Sequence, residues 1–209
     1  LQRDRPLTSQ EYPERIRATA QTLVEQLSGA GSQLTESVLT RQILAEYPLS
    51  DYTSASEALA TVIGDGTFSC AAQFSHQLFS LFTPTYAYEF ADRSVKLAVL
   101  PPVSFPYGAT HTAELQFLFD LPGVELTPDE QRLAATMKSY WAQCGDTAVP
   151  SLGLPLQRTW LPYTLLAPTV QNLVAPTPDT TLGFSERHHC TFWQSILLQT
   201  TALTALSGT

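Results

Sequence analysis

The chain has 209 residues, of which 44% are hydrophobic and 14% charged, with a formal net charge of −8 and a sequence pI near 4.8. It is long and apolar enough to bury a core, which excludes a disordered segment. Its 11 Lys and Arg residues are too few and too dispersed to neutralise a nucleic-acid backbone, and an anionic membrane surface repels so acidic a chain.

No apolar run reaches the roughly 18 residues of a membrane-spanning helix. Leu1 is not an initiator Met, and the residues after it lack the apolar centre of a signal peptide, so the sequence is expected to start inside a longer reading frame.

The first half reads as helices. Thr8-Ser9 with Glu11 form a cap for a helix reaching Leu27, with Ile16, Ala20, Leu23, Val24 and Leu27 on one face. Gly29-Ala30-Gly31 breaks it. A second helix covers Thr35 to Glu46 and ends at Tyr47-Pro48, because a residue before proline avoids the helical region. A third starts near Ser54 or Ser56. Gly64-Asp65-Gly66 reads as punctuation, followed by a fourth helix from Phe68 through Leu81.

The pattern then changes. Thr85 to Phe90 is aromatic-rich and follows a proline, as a buried strand does. A Pro-rich apolar loop, Leu100 to Tyr107, leads into Gly108-Ala109-Thr110-His111. Thr127-Pro128-Asp129-Glu130 is a helix start, with a cap, a proline in the first turn and two acids at the positive end of the dipole. Leu133, Met137, Tyr140 and Trp141 make its apolar stripe. From Gly145 to Gly183 the expectation is loop, and Glu186 to Leu198 reads as a closing helix. A lone strand pair does not stand as a sheet, so the strands here are expected to be edge strands of a sheet completed elsewhere.

Several segments, in order, resemble the C-terminal third of type-B carboxylesterases, the cholinesterase-like family. Tyr47-Pro48-Leu49 resembles their helix-ending YP. Gly64 to Cys70 resembles their D-x-x-F-x-C, and Tyr86 to Phe90 their Y-x-Y-x-F strand. Gly108-Ala109-Thr110-His111-Thr112-Ala113-Glu114-Leu115 resembles the G-x-x-H-x-x-E-L block that presents the catalytic histidine. Met137 to Trp141 resembles the M-x-x-x-W helix, and His189-Cys190-Thr191-Phe192-Trp193 the terminal C-x-F-W.

The resemblance implies the α/β class. The chain, residues 1–209, is expected to be the C-terminal part of an α/β-hydrolase domain, mostly helices with a few edge strands of the central sheet. It implies a secreted or extracellular serine esterase acting on a small-molecule carboxylic ester without cofactor or metal. His111 would be the general base and acid. An imidazole suits that role because its ordinary pKa near 6.5 lets it take a proton from the attacking serine and return it to the leaving alcohol. Its place in the loop Thr110 to Ala113, after a strand, fits a base held over the rim of a sheet. Glu114 could support that loop, and Phe105, Tyr107, Phe117 and Phe119 could line a pocket, although such aromatics are more often core.

The family's serine lies in a G-x-S-x-G elbow, and no pair of glycines here has that spacing. The triad acid is expected upstream of Leu1; Glu11 and Glu14 are better read as capping residues. The nucleophile and acid thus belong to an N-terminal part of the fold outside this sequence. The fragment alone is expected to be inactive, because the triad works as a unit. An inert cholinesterase-like module that binds another protein, or a truncated esterase without function, is the alternative reading.

The resemblance pairs Cys70 with Cys190 as a disulfide, against a reading as two unlinked thiols, and leaves Cys144 free. The family's F-A-x-T-G-x-P-N after the Trp141 helix is replaced by Cys144 to Pro150, and Thr112 stands where many relatives carry Gly. His76, His188 and His189 read as surface or helix-face residues. Adjacent ligands rarely point the same way, which argues against a metal cluster at His188, His189 and Cys190.

Overall fold

The computed structural model describes residues 5–27, 34–97, 100–101, 107–151 and 158–201. The chain forms two compact units, one from residues 1–75 with 183–209 and one from residues 76–182.

The first unit is helical. Glu11 caps α1 (Tyr12–Leu27) by reaching back to the Thr8 N–H at 2.9 Å, as the Thr8 to Glu11 spacing predicts. Bonds from the Thr8 hydroxyl and backbone, with Arg5 alongside, hold the Glu11 carboxyl down at about 2. Thr35 caps α2 (Glu36–Glu46), which ends at Tyr47 before the proline. Ser54 caps α3 (Ala55–Gly64). The core joins Tyr12, Ile16 and Ala20 of α1 to Leu39 and Ile43 of α2 and to Ala58 and Val62 of α3. The Tyr12 hydroxyl, pushed up to about 12 by burial, donates to the Tyr47 carbonyl at 3.0 Å.

Gly64-Asp65-Gly66 does not break the chain direction, contrary to its reading as punctuation. The helix runs on through a single π-helical segment, Asp65–Ser69, into α4 (Cys70–Phe79). The glycine serves packing: a Cβ on Gly66 would stand 2.8 Å from the Trp193 ring. The closing helix also differs from expectation. It divides into α7 (Phe184–Arg187) and α8 (Cys190–Thr201), because His189 takes a left-handed φ of 52°. Cys70 and Cys190 form the disulfide, with Cα atoms 5.1 Å apart across a sequence separation of 120. Closing a loop of that size stabilises a fold by roughly 4–5 kcal/mol in the chain-entropy model.

The second unit holds a three-stranded sheet. β1 (Ala87–Phe90) lies parallel to β2 (Val170–Leu173), pairing Ala87 with Val170 and Phe90 with Leu173. β2 is antiparallel to β3 (Asp179–Thr181). The last two strands fall inside the stretch from Gly145 to Gly183 that reads as loop from sequence. Each is too short to show alternation, and β2 buries three of its four residues, so no periodic signal separates it from its surroundings.

The sheet packs against α6 (Pro128–Thr147), whose Thr127 and Glu130 complete a reciprocal capping box. Leu133, Met137 and Tyr140 are buried, as the helical stripe predicts, in a cluster with Phe117, Trp160 and Leu173. The Trp160 indole N–H donates to the Ala87 carbonyl at 3.0 Å, and the Tyr140 hydroxyl, pushed up to about 12, donates to the Arg158 carbonyl at 2.7 Å. A mostly helical α/β chain with a small sheet is what part of an α/β-hydrolase fold presents. No helix among the described residues is long and apolar enough to cross a membrane.

Candidate functional site

β1 ends at Phe90, and the chain then runs through Asp92-Arg93-Ser94 and a longer segment before reaching Gly108. His111 is therefore not immediately behind the strand but at the far end of its exit segment. It sits second in a four-residue turn closed by the Ala113 N–H donating to the Thr110 carbonyl at 3.0 Å. Thr112, third in that turn, has φ of 73°. This position favours glycine, since a β-branched side chain crowds its own backbone there. The turn feeds directly into the short helix α5 (Leu115–Leu118), whose first bonds are Leu115 N–H to Thr112 carbonyl at 3.1 Å and Phe117 N–H to Glu114 carbonyl at 3.0 Å.

The result is an anchored turn with an exposed tip. Ala113 and Phe117 are fully buried, while the His111 side is exposed. Phe117 packs against Phe90 with ring centroids 5.1 Å apart, which fixes the turn to the end of β1. Phe117 is thus core and not pocket lining. Phe119 is exposed, Tyr107 donates its hydroxyl to the Pro101 carbonyl at 2.6 Å, and Phe105 lies outside the described residues. Glu114 lies close enough to Tyr88 for its charge to add to burial in pushing that phenol up. Its backbone starts α5, and its side chain does not cap the helix.

His188 and His189 depart from the surface or helix-face reading. His188 Nδ1 is 2.6 Å from Asp65 Oδ1, and Asp65 Oδ2 accepts from the Tyr47 hydroxyl at 3.2 Å. That hydroxyl in turn accepts from the Trp193 indole N–H at 2.7 Å, and burial beside Asp65 pushes the Tyr47 phenol well above its usual range. His189 Nδ1 is 2.7 Å from Glu46 Oε1. Adjacent histidines therefore hold different carboxylates on different elements, and His189 is itself the left-handed residue between α7 and α8. Cys190 is spent in the disulfide, and the described residues contain no group of three or more metal-ligating side chains. The sequence carried one hint of this network, the aspartate between two glycines facing a Cys-x-Phe-Trp, but nothing in periodicity reveals so distant a pairing.

His76 is partly buried on α4 against Tyr163, with ring centroids 5.7 Å apart, and burial lowers its pKa from 6.5. Cys144 is exposed and free.

The carboxylesterase family model matches residues 4–193. Acetylcholinesterase from Bungarus fasciatus is 30% identical over 145 residues, a stretch that covers 68% of this chain and 23% of the relative. The chain thus spans under a quarter of the length of that relative. With the match running through the His111 turn, the disulfide and both units, the chain belongs to the carboxylesterase family.

Proposed function

We propose that this chain is the C-terminal portion of a secreted carboxylic ester hydrolase in which His111 is the general base and acid. The observation that carries the reading is the exposed His111 on a turn whose flanks, Ala113 and Phe117, are buried. A base must be fixed in place yet open to its partner, and this turn combines the two. A serine and a triad acid from outside this sequence complete the site. As the serine oxygen attacks the ester carbonyl, His111 takes its proton; as the tetrahedral intermediate collapses, His111 returns that proton to the departing alcohol. Water then repeats the sequence on the acyl-serine, with His111 again receiving and returning the proton. The substrate is a small-molecule carboxylic ester, and no cofactor enters the scheme.

Family membership and the printed activity of the acetylcholinesterase relative support ester chemistry. The disulfide supports an oxidising, extracellular setting. β1 makes no second ladder among the described residues, which suits a strand to which further strands of a central sheet are added. A non-catalytic module that binds another protein is the competing reading. It draws on exposed large apolar side chains such as Phe82 and Leu166.

The test is turnover of a p-nitrophenyl ester by the polypeptide that carries this chain together with a serine elbow. His111→Gln is expected to lower kcat by roughly a thousandfold or more, and the 209-residue chain alone to show no turnover. Equal activity in the parent and the His111→Gln variant refutes the reading. No hydrolysis by a folded parent favours the binding module.

A further inference from the structure

We propose that Asp92 is a positioning residue for His111, acting through the segment that leaves β1; the proposal rests on the reading of His111 as the proton-transfer group. Asp92 is 3% exposed, and the ester chemistry above makes no use of it. A buried carboxylate is tolerated only when its oxygens are hydrogen-bonded. Asp92 Oδ1 accepts from the Ser94 N–H at 3.0 Å and from the Ser94 hydroxyl at 2.6 Å, and Oδ2 accepts from the Ala175 N–H at 3.1 Å.

These partners lie at one end of the sheet. Asp92 follows the end of β1 and Ala175 follows the end of β2, and the two strands are parallel. The carboxylate therefore ties together the two C-terminal exits, the end of a parallel sheet where ligands bind. An amide could not replace it. Asn would turn one of the two accepting oxygens into a donor that faces another donor.

The segment rooted at Asp92 then meets the His111 turn on both sides. Arg93 Nε lies 3.8 Å from the position a Cβ would take on Gly108, whose φ is 64°, just before the turn. The Lys96 carbonyl accepts from Gln116 Nε2 at 3.2 Å, just after it. Val95 joins Phe117 in the same buried cluster. Fixing the exit of β1 thus fixes the contacts that hold the turn, and the side chain at its tip inherits that orientation.

The experiment reads the ring itself. Histidine ring signals are recorded by proton–carbon NMR on this chain, with the His111 signals assigned through His111→Gln. Ser94 is exposed, so Ser94→Ala removes one donor to Asp92 without emptying the core. It is expected to move the His111 signals by more than a linewidth while those of His188 and His189 stay in place. Ser94→Thr keeps the hydroxyl and is expected to restore the original His111 signals; Asp92→Asn moves them further. Unchanged His111 signals in Ser94→Ala overturn the proposal, as does an equal displacement in Ser94→Thr. Should Asp92→Asn fail to fold, the Ser94 pair decides alone. A responsive ring in a parent polypeptide without ester turnover would leave the positioning role standing and remove the hydrolase reading.

Discussion

His188 Nδ1 lies 2.6 Å from Asp65 Oδ1, joining the loop before α8 to the π-helical segment that follows α3. The Asp65 side chain is only 3% exposed and that of His188 17%, so the contact is part-buried. Its second oxygen holds the Tyr47 hydroxyl, which receives the Trp193 indole N–H, so one carboxylate organises three aromatic or imidazole groups. Removing it takes the acceptor from the buried Tyr47 hydroxyl and from the part-buried His188 ring. Asp65→Ala is expected to lower the stability of the first unit by about 3 kcal/mol, read as a fall in the urea midpoint. A loss below a few tenths of that would mean the network is filled by solvent and carries no weight.

Thr112 shows the opposite sign. Its φ of 73° lies where a β-branched residue is strained, at a cost of roughly 1–2 kcal/mol. Thr112→Gly removes that strain but also frees the unfolded chain, which offsets part of the gain. The net expectation is a rise in stability of up to about 1 kcal/mol, seen as a higher thermal midpoint. A destabilised Thr112→Gly would show that the threonine side chain makes a compensating contact.

Much of this architecture was legible where local chemistry decides it. The Thr8 and Thr127 caps, the stop at Tyr47-Pro48 and the α6 stripe each depend on residues a few positions apart, and each is where the spacing puts it, while the start of α3 fell to Ser54 of the two serines the sequence left open. What stayed hidden depends on distant partners. Gly66 looks like a helix breaker until the Trp193 ring is placed against it, and His188 and His189 look like surface residues until Asp65 and Glu46 are brought beside them. The strand β2 is defined by pairing with β1 and β3 by pairing with β2, not by their own pattern. At the candidate site, the histidine motif marked His111, but no local signal marked Asp92, whose acceptor role is completed by the remote Ala175 N–H.

Gly66 gives a direct test of that packing. A Cβ there would sit 2.8 Å from two carbons of the Trp193 ring, and a ring held by its N–H bond to Tyr47 cannot swing aside freely. Gly66→Ala is expected to cost about 1–3 kcal/mol through overpacking, despite the better helix propensity of alanine. Gly64→Ala is the control, because its Cβ would meet nothing within 4 Å; it should be neutral or stabilising. Equal behaviour of the two variants contradicts the close approach of the indole.

The pH dependence of the second unit turns on His76. Burial against Tyr163 lowers its pKa from 6.5. The sign follows from which state binds the proton first. Above pH 6.5 the ring is neutral folded and unfolded, and its contribution is complete. As pH falls below 6.5 the unfolded chain is protonated while the folded ring is not, so stability is lost progressively until pH passes the lower, folded value. The loss is limited to about 1.4 kcal/mol per pH unit over that window. Glu11, held down at about 2, lies well below that window. Urea midpoints at pH 7 and pH 5 should therefore fall further apart in the parent chain than in His76→Phe, which keeps the ring contact with Tyr163 and cannot take a proton. The difference between the two chains isolates His76 from the other three histidines, and a matching slope in both would show that the ring is hydrated in the folded protein.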